Sequence, residues 1–215
     1  MFSTVIFDLD GTLLNTIDDL AAAGNHVCRE NHWPEYSVEQ FKAMVGHGVK
    51  NLVAKFVPAE VQTPEVLDRA LAQFSAYYGA HSTDLTAAYP GMGELLERLQ
   101  AAGVRMAVYS NKDHSFTVEL MERFFPGRFA LVQGKKEGIP VKPDPTGVLG
   151  ILAQLGADPE TTLFVGDSSV DIATGHNAGL RACGVTWGFR SEQSLIDAGA
   201  DFLARDAREL EGVIL

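Results

Sequence analysis

Two carboxylates, Asp8 and Asp10, flank a single leucine where an apolar stretch gives way to glycine: Phe2, Thr4, Val5, Ile6 and Phe7 run directly into Asp8-Leu9-Asp10-Gly11-Thr12. A short apolar run that stops at a turn reads as a buried parallel strand. In a parallel α/β sheet, ligands sit outside the carboxyl ends of the strands. Both carboxylates then fall where such a fold places its chemistry. A carboxylate there can act as a nucleophile, a second can give and take a proton, and both can help hold a divalent cation.

Three further stretches supply what such a pair lacks. Val108-Tyr109-Ser110-Asn111-Lys112 puts a hydroxyl at the end of a second apolar strand, where it and the following N–H groups can hold an anion. Lys142-Pro143-Asp144-Pro145 carries an ammonium on a backbone restricted by the next proline. Gly166-Asp167-Ser168-Ser169-Val170-Asp171 follows a third apolar strand and offers two acids four residues apart, one at a strand end and one on the first turn of a helix.

These stretches, in this order, resemble the motifs of the haloacid dehalogenase-like phosphatases, and they extend over most of the chain. Asn15-Thr16 departs from the Asp-Ser that often follows the first motif in relatives. The resemblance implies that Asp8 is the nucleophile and forms an aspartyl-phosphate, and that Asp10 is the general acid and base. It implies Mg²⁺ held by Asp8, the backbone carbonyl of Asp10 and Asp167, with Asp171 in an outer or water-mediated role. Ser110 and Lys142 would bind the phosphoryl group and neutralise charge. Gly11, Thr12 and Asn111 would line the same site, with Lys112 behind it.

The elements that must position these residues follow from periodicity. Strands are expected at 2–7, Val104–Tyr109, Phe129–Gln133, Thr162–Val165, Ala182–Val185 and Asp201–Leu203. Helical patterns lie between them, including 91–102, 115–125, 145–155 and 170–178. Strands alternating with helices mean an α/β doubly wound parallel sheet with a Rossmann-like core. Roughly a hundred residues separate Asp8 from Ser110, far more than the dozen or so a crossover needs. The excess reads as helix only, with Ser37 and Thr63-Pro64 as start signals. The expected organisation is a core of residues 1–15 and 87–215 with a helical insertion, 16–86, which the resemblance identifies as a cap. Within the family, the stretch Val45-Gly46-His47-Gly48-Val49-Lys50-Asn51-Leu52 is similar to the cap loop of phosphoglycolate phosphatases. Gly46, His47, Gly48 and Lys50 are therefore substrate-binding candidates. His114 is a further histidine able to approach a substrate.

Composition narrows the partners. The chain has 215 residues, 46% of them hydrophobic, enough for a packed core. Its formal net charge of −11 and the absence of a basic stripe argue against nucleic acid. No apolar run approaches a membrane span, and the first residues read as a strand rather than a signal peptide, so a cytoplasmic protein is expected. Cys28 and Cys183 are distant thiols that suit a reduced compartment. The expected ligand is a small phosphorylated metabolite, with monomer and homodimer both open. The leading reading is hydrolysis of a small phosphate monoester such as 2-phosphoglycolate. A phosphosugar mutase shares the chemistry up to the aspartyl-phosphate. A phosphonoacetaldehyde hydrolase would use Lys50 as a Schiff base, but such relatives lack the second aspartate that this chain keeps as Asp10. A non-catalytic metabolite sensor would ordinarily have lost one of these residues.

Overall fold

The computed structural model describes residues 1–215. In chain order the elements are β1 (Thr4–Phe7), β2 (Leu14–Asn15), α1 (Ile17–Glu30), α2 (Val38–Met44), α3 (Val49–Phe56), α4 (Pro64–His81), β3 (Ala87–Ala88), α5 (Met92–Ala101), β4 (Arg105–Asp113), α6 (His114–Phe124), β5 (Leu131–Lys135), α7 (Thr146–Leu155), β6 (Thr162–Gly166), α8 (Ser169–Asn177), β7 (Arg181–Val185), α9 (Glu192–Asp197), β8 (Phe202–Ala204) and α10 (Ala207–Ile214). They form two compact units, one of residues 1–15 and 88–215 and the other of residues 16–87.

The first unit is the expected doubly wound sheet. Its six strands run parallel in the order β5-β4-β1-β6-β7-β8. The order reverses direction at β1, so the crevice between the carboxyl ends of β1 and β6 is the topological switch point. Side chains alternate across each strand. Val5, Phe7, Met106, Val108, Leu163 and Val165 pack on one face with Met92, Leu96, Leu120 and Leu210 of the covering helices. Ile6, Ala107, Tyr109 and Phe164 pack on the other with Val148, Ile151 and Leu152 of α7. Covering both faces is what an all-parallel sheet requires.

Two local features differ from the sequence expectation. β4 does not stop at Tyr109 but continues through Ser110, Asn111 and Lys112 to Asp113. The apolar pattern ends at Tyr109, yet pairing with β5 resumes at Asp113 opposite Lys135, after a register shift. Helices α9 and α10 carry no long periodic pattern, being six and eight residues long. Gly147, which would ordinarily weaken α7, sits where a Cβ would overlap the Tyr109 ring. Its cost to helix propensity is the condition for packing α7 onto the sheet.

The second unit contains α1 to α4. Phe41, Phe56, Phe74 and Tyr78 form a continuous row of rings with centroids 6.2, 6.2 and 5.7 Å apart. A Cβ at Gly24 would overlap the Phe41 ring, so this glycine admits the ring against α1. The start signals hold: Ser37 makes a reciprocal capping box with Gln40, and the Thr63 hydroxyl accepts from Val66 N–H ahead of Pro64. Asp19 lies in the first turn of α1. It is buried, and its carboxylate accepts from Leu85 N–H, Thr86 N–H and the Thr86 hydroxyl at 2.7–3.1 Å. No helix of the chain is long and apolar enough to cross a membrane.

Candidate active site

The strand ends at the switch point bring together the acids that the sequence separates. Asp8 follows β1, Asp167 follows β6, and Asp171 lies in the first turn of α8. One oxygen from each lies within 4.8 Å of the others, and all three residues are buried. Lys142 is buried among them. Its Nζ lies 2.7 Å from Asp8 Oδ1 and 2.6 Å from Asp171 Oδ1. Burial is the largest influence on Asp8 and pushes its carboxyl up to about 7; Lys142 opposes this and Asp171 adds to it. Burial likewise holds Asp167 well above the ordinary carboxylate range, reinforced by Asp171 and Asp8 and opposed by the Phe189 N–H and Arg190. Burial alone would lower Lys142, but Asp171 and Asp8 outweigh it and hold the ammonium above its ordinary range.

Asp171 does two jobs at once. Its Oδ1 faces Lys142, while its Oδ2 accepts from Ser168 N–H at 3.1 Å and the Ser168 hydroxyl at 2.6 Å. The capping role of an acid at this helix start and its role in the site are thus the same geometry. Gly166 permits it, because a Cβ there would overlap the Asp171 side chain.

The turn after β1 is tight. The N–H groups of Thr12, Leu13 and Leu14 point to the Leu9 carbonyl, and Gly11 has φ +82°. A Cβ on Gly11 would overlap the Asp167 carboxylate, so glycine meets both a backbone and a space requirement. Thr12 is fully buried; its carbonyl accepts from Trp187 Nε1 at 3.0 Å. Asp10 lies beyond the three-acid group, with Lys112 Nζ at 2.9 and 3.3 Å from its two oxygens.

Beyond Tyr109, each residue of β4 has a separate partner. The Ser110 hydroxyl is buried and accepts from Lys112 N–H at 3.2 Å. Asn111, expected to line the substrate, turns its amide onto the backbone of Lys142. Its Oδ1 accepts from Lys142 N–H at 2.8 Å and its Nδ2 donates to the Lys142 carbonyl at 3.2 Å. Lys112 reaches the Asp10 carboxylate directly, the kind of contact a residue behind the site makes. His114 opens α6, and its Nδ1 accepts from Gly134 N–H at 3.3 Å. Gly46, His47 and Gly48 lie in the turn between α2 and α3 of the second unit, and Lys50 is in the first turn of α3.

No sequence motif marks Trp187-Gly188-Phe189 as part of the site. Phe189 N–H donates to Asp167 Oδ2 at 2.6 Å, and a Cβ on Gly188 would overlap Asp167 and crowd the Gly11 carbonyl. The available signal was positional. This stretch follows β7, whose carboxyl end adjoins that of β6 in a parallel sheet.

Asp8 and Asp171 pair with Lys142 and Asp10 pairs with Lys112, while Asp167 has the Phe189 N–H and the charge of Arg190, so acidic groups outnumber basic ones around the site. All the acidic donors are oxygens, the set that suits a hard divalent cation rather than a thiophilic one.

Comparison with known proteins identifies the family. A family model described as haloacid dehalogenase-like hydrolase matches residues 5–185. The chain is 33% identical over 211 residues to a phosphoglycolate phosphatase of Pseudomonas putida, covering 96% of this chain and 77% of that one. It is 30% identical over 220 residues to the phosphoglycolate phosphatase of Haemophilus influenzae, covering 99% and 98%. A crystal structure from Lactobacillus delbrueckii subsp. bulgaricus superposes with a TM-score of 0.93 at 33% identity, covering 100% of this chain and 98% of that one. The parallel sheet, the acids at its switch point and these similarities together place the chain in the haloacid dehalogenase-like hydrolase family.

Proposed function

We propose that this protein is a Mg²⁺-dependent phosphatase that hydrolyses a small phosphate monoester through an aspartyl-phosphate, with 2-phosphoglycolate as its substrate. The observation that carries the reading is the buried Asp8 carboxylate at the switch point, ion-paired to Lys142 at 2.7 Å and joined by Asp167 and Asp171. A carboxylate so enclosed is costly to ionise. It persists where its charge is put to use, as in a nucleophile.

In the first step an Asp8 oxygen attacks phosphorus, the ester P–O bond breaks, and the leaving alkoxide takes a proton from Asp10. In the second, Asp10 accepts a proton from water as that water attacks phosphorus, releasing phosphate and restoring the Asp8 carboxylate. Lys142 favours the ionised form of Asp8 against its burial and balances charge as it moves between Asp8 and the phosphoryl oxygens. Asp8, Asp167 and the Asp10 carbonyl would hold the Mg²⁺, which when bound supplies positive charge against the carboxylates and the phosphoryl group. Asp171, with both oxygens engaged by Lys142 and Ser168, orients those groups.

The substrate assignment draws on the names of the Pseudomonas and Haemophilus relatives and on the turn before α3. Gly46 and Gly48 have φ +123° and +82°, and no side chain caps α3. The first N–H groups of α3, with Lys50 beside them, suit a small carboxylate. The test is kcat/KM with Mg²⁺ for phosphoglycolate against hexose phosphates, nucleotides, pyrophosphate and phosphonoacetaldehyde. Phosphoglycolate should lead. Another substrate ahead by about tenfold, or about 1.4 kcal/mol in transition-state binding, discards the assignment and keeps the phosphatase. No turnover on any ester discards both.

A further inference from the structure

We infer that Lys112 is a positioning residue of the reaction, fixing the orientation of the Asp10 carboxylate through both proton transfers. The inference rests on the proposed role of Asp10 as general acid and base.

Lysine is among the residues least often buried, yet the Lys112 side chain is only 6% exposed and its partner Asp10 only 13%. Its Nζ spans both Asp10 oxygens, at 2.9 and 3.3 Å. Two contacts to one carboxylate restrict its rotation in a way that a single contact does not. Three groups in turn pin the Lys112 backbone. Its N–H donates to the Ser110 hydroxyl at 3.2 Å, and its carbonyl accepts from the Thr117 hydroxyl at 3.2 Å. Gly134 of β5 lies so close that a Cβ there would crowd the Lys112 carbonyl. The ammonium therefore projects from a fixed base, at the end of a strand that continues past its apolar run to reach this point.

A purely structural account is weak. A buried ion pair is generally no more stabilising than apolar side chains of the same volume, because both charges lose water. An ion pair maintained on the one side chain that must move a proton has a use beyond stability. Asp10 sits in a short turn, and proton transfer demands an oxygen aligned with the leaving group in one step and with water in the next. Lys112 keeps its own protons throughout. The proton leaves Asp10 for the alkoxide and is replaced from water, so the cycle balances without it.

The test compares Lys112→Met, which keeps length and volume, with Lys112→Arg and Asp10→Asn, using ethyl phosphate and p-nitrophenyl phosphate with Mg²⁺. Nitrophenolate leaves with little protonation, whereas ethoxide needs an aligned acid. Lys112→Met should lower kcat on ethyl phosphate at least about thirtyfold, a part of the 10²–10⁴ that positioned acid–base groups contribute, and on the aryl ester by no more than about threefold. Lys112→Arg, which keeps charge and donors, should recover ethyl phosphate turnover to within about tenfold of wild type. Thermal melting reports folding of each variant, and if Lys112→Met does not fold, the Arg result decides. Equal losses on both esters, no loss, or an Arg variant no better than Met overturns the inference. If Asp10→Asn is selective for the alkyl ester while Lys112→Met is not, the inference fails and the proposed function stands. If wild type turns over neither ester nor any other phosphate, the proposed function itself fails.

Discussion

Removal of the Asn111 amide tests whether the site depends on a clamp remote from the phosphoryl group. In Asn111→Ala, the Lys142 N–H and carbonyl both lose their side-chain partner in a buried environment. Each buried polar group left without a partner costs about 1–3 kcal/mol, so the pair amounts to about 4 kcal/mol at mid-range. For a chain of this size each kcal/mol moves the melting temperature by about 2–4 °C, giving an expected fall of about 8–16 °C. The kinetic effect follows from geometry. Lys142 Nζ is held at 2.7 Å from Asp8 and 2.6 Å from Asp171, and its backbone is held by Asn111. A displacement of about 1 Å in such a group lowers the rate about a hundredfold. The assay is steady-state turnover of a phosphate ester with Mg²⁺, separating kcat from KM, alongside thermal unfolding. The expected result is a large loss in kcat with KM nearly unchanged. A rise in KM at constant kcat would mean that Asn111 touches substrate, and a variant matching wild type in both measurements would refute the clamp.

Three other substitutions probe different parts of the argument. Asp8→Asn keeps the shape but removes the nucleophile, and turnover should vanish with the melting transition retained; activity above a few per cent would refute the covalent route. Gly188→Ala places a methyl group against Asp167 and the Gly11 carbonyl, so the Mg²⁺ concentration giving half-maximal activity should rise about tenfold or more; an unchanged requirement would show that Asp167 tolerates displacement. Burial pushes the Cys183 thiol up to about 12. The unfolded chain therefore releases this proton first, and above about pH 9 the thiol's contribution to stability falls by about 1.4 kcal/mol per pH unit until the folded value is reached. Urea unfolding between pH 9 and 10.5 should lose stability more steeply for wild type than for Cys183→Ala, and parallel slopes would contradict the burial argument.

The sequence by itself determined the doubly wound sheet, because alternating apolar runs and helical periods allow few other ways of burying both faces. It also located Asp8, Asp10, Ser110 and Asp167 where apolar strands give out, since a parallel sheet gathers those ends along one edge, with Asp171 on the helix that follows. What only the tertiary structure decided is which groups touch. Lys112 meets Asp10 across 102 positions of sequence, and Asn111 grips the Lys142 backbone across 31. Asp19 turns inward to hold 85–86 within the helical unit, and Phe189 reaches back to Asp167. Hydrophobic period records where the apolar run of a strand stops. It carries no information on which strand ends adjoin, on the register between them, or on how β4 extends past its apolar run to carry Asn111 and Lys112 into place. Those contacts arise from backbone pairing and close approach, which polar residues at a strand end permit without announcing.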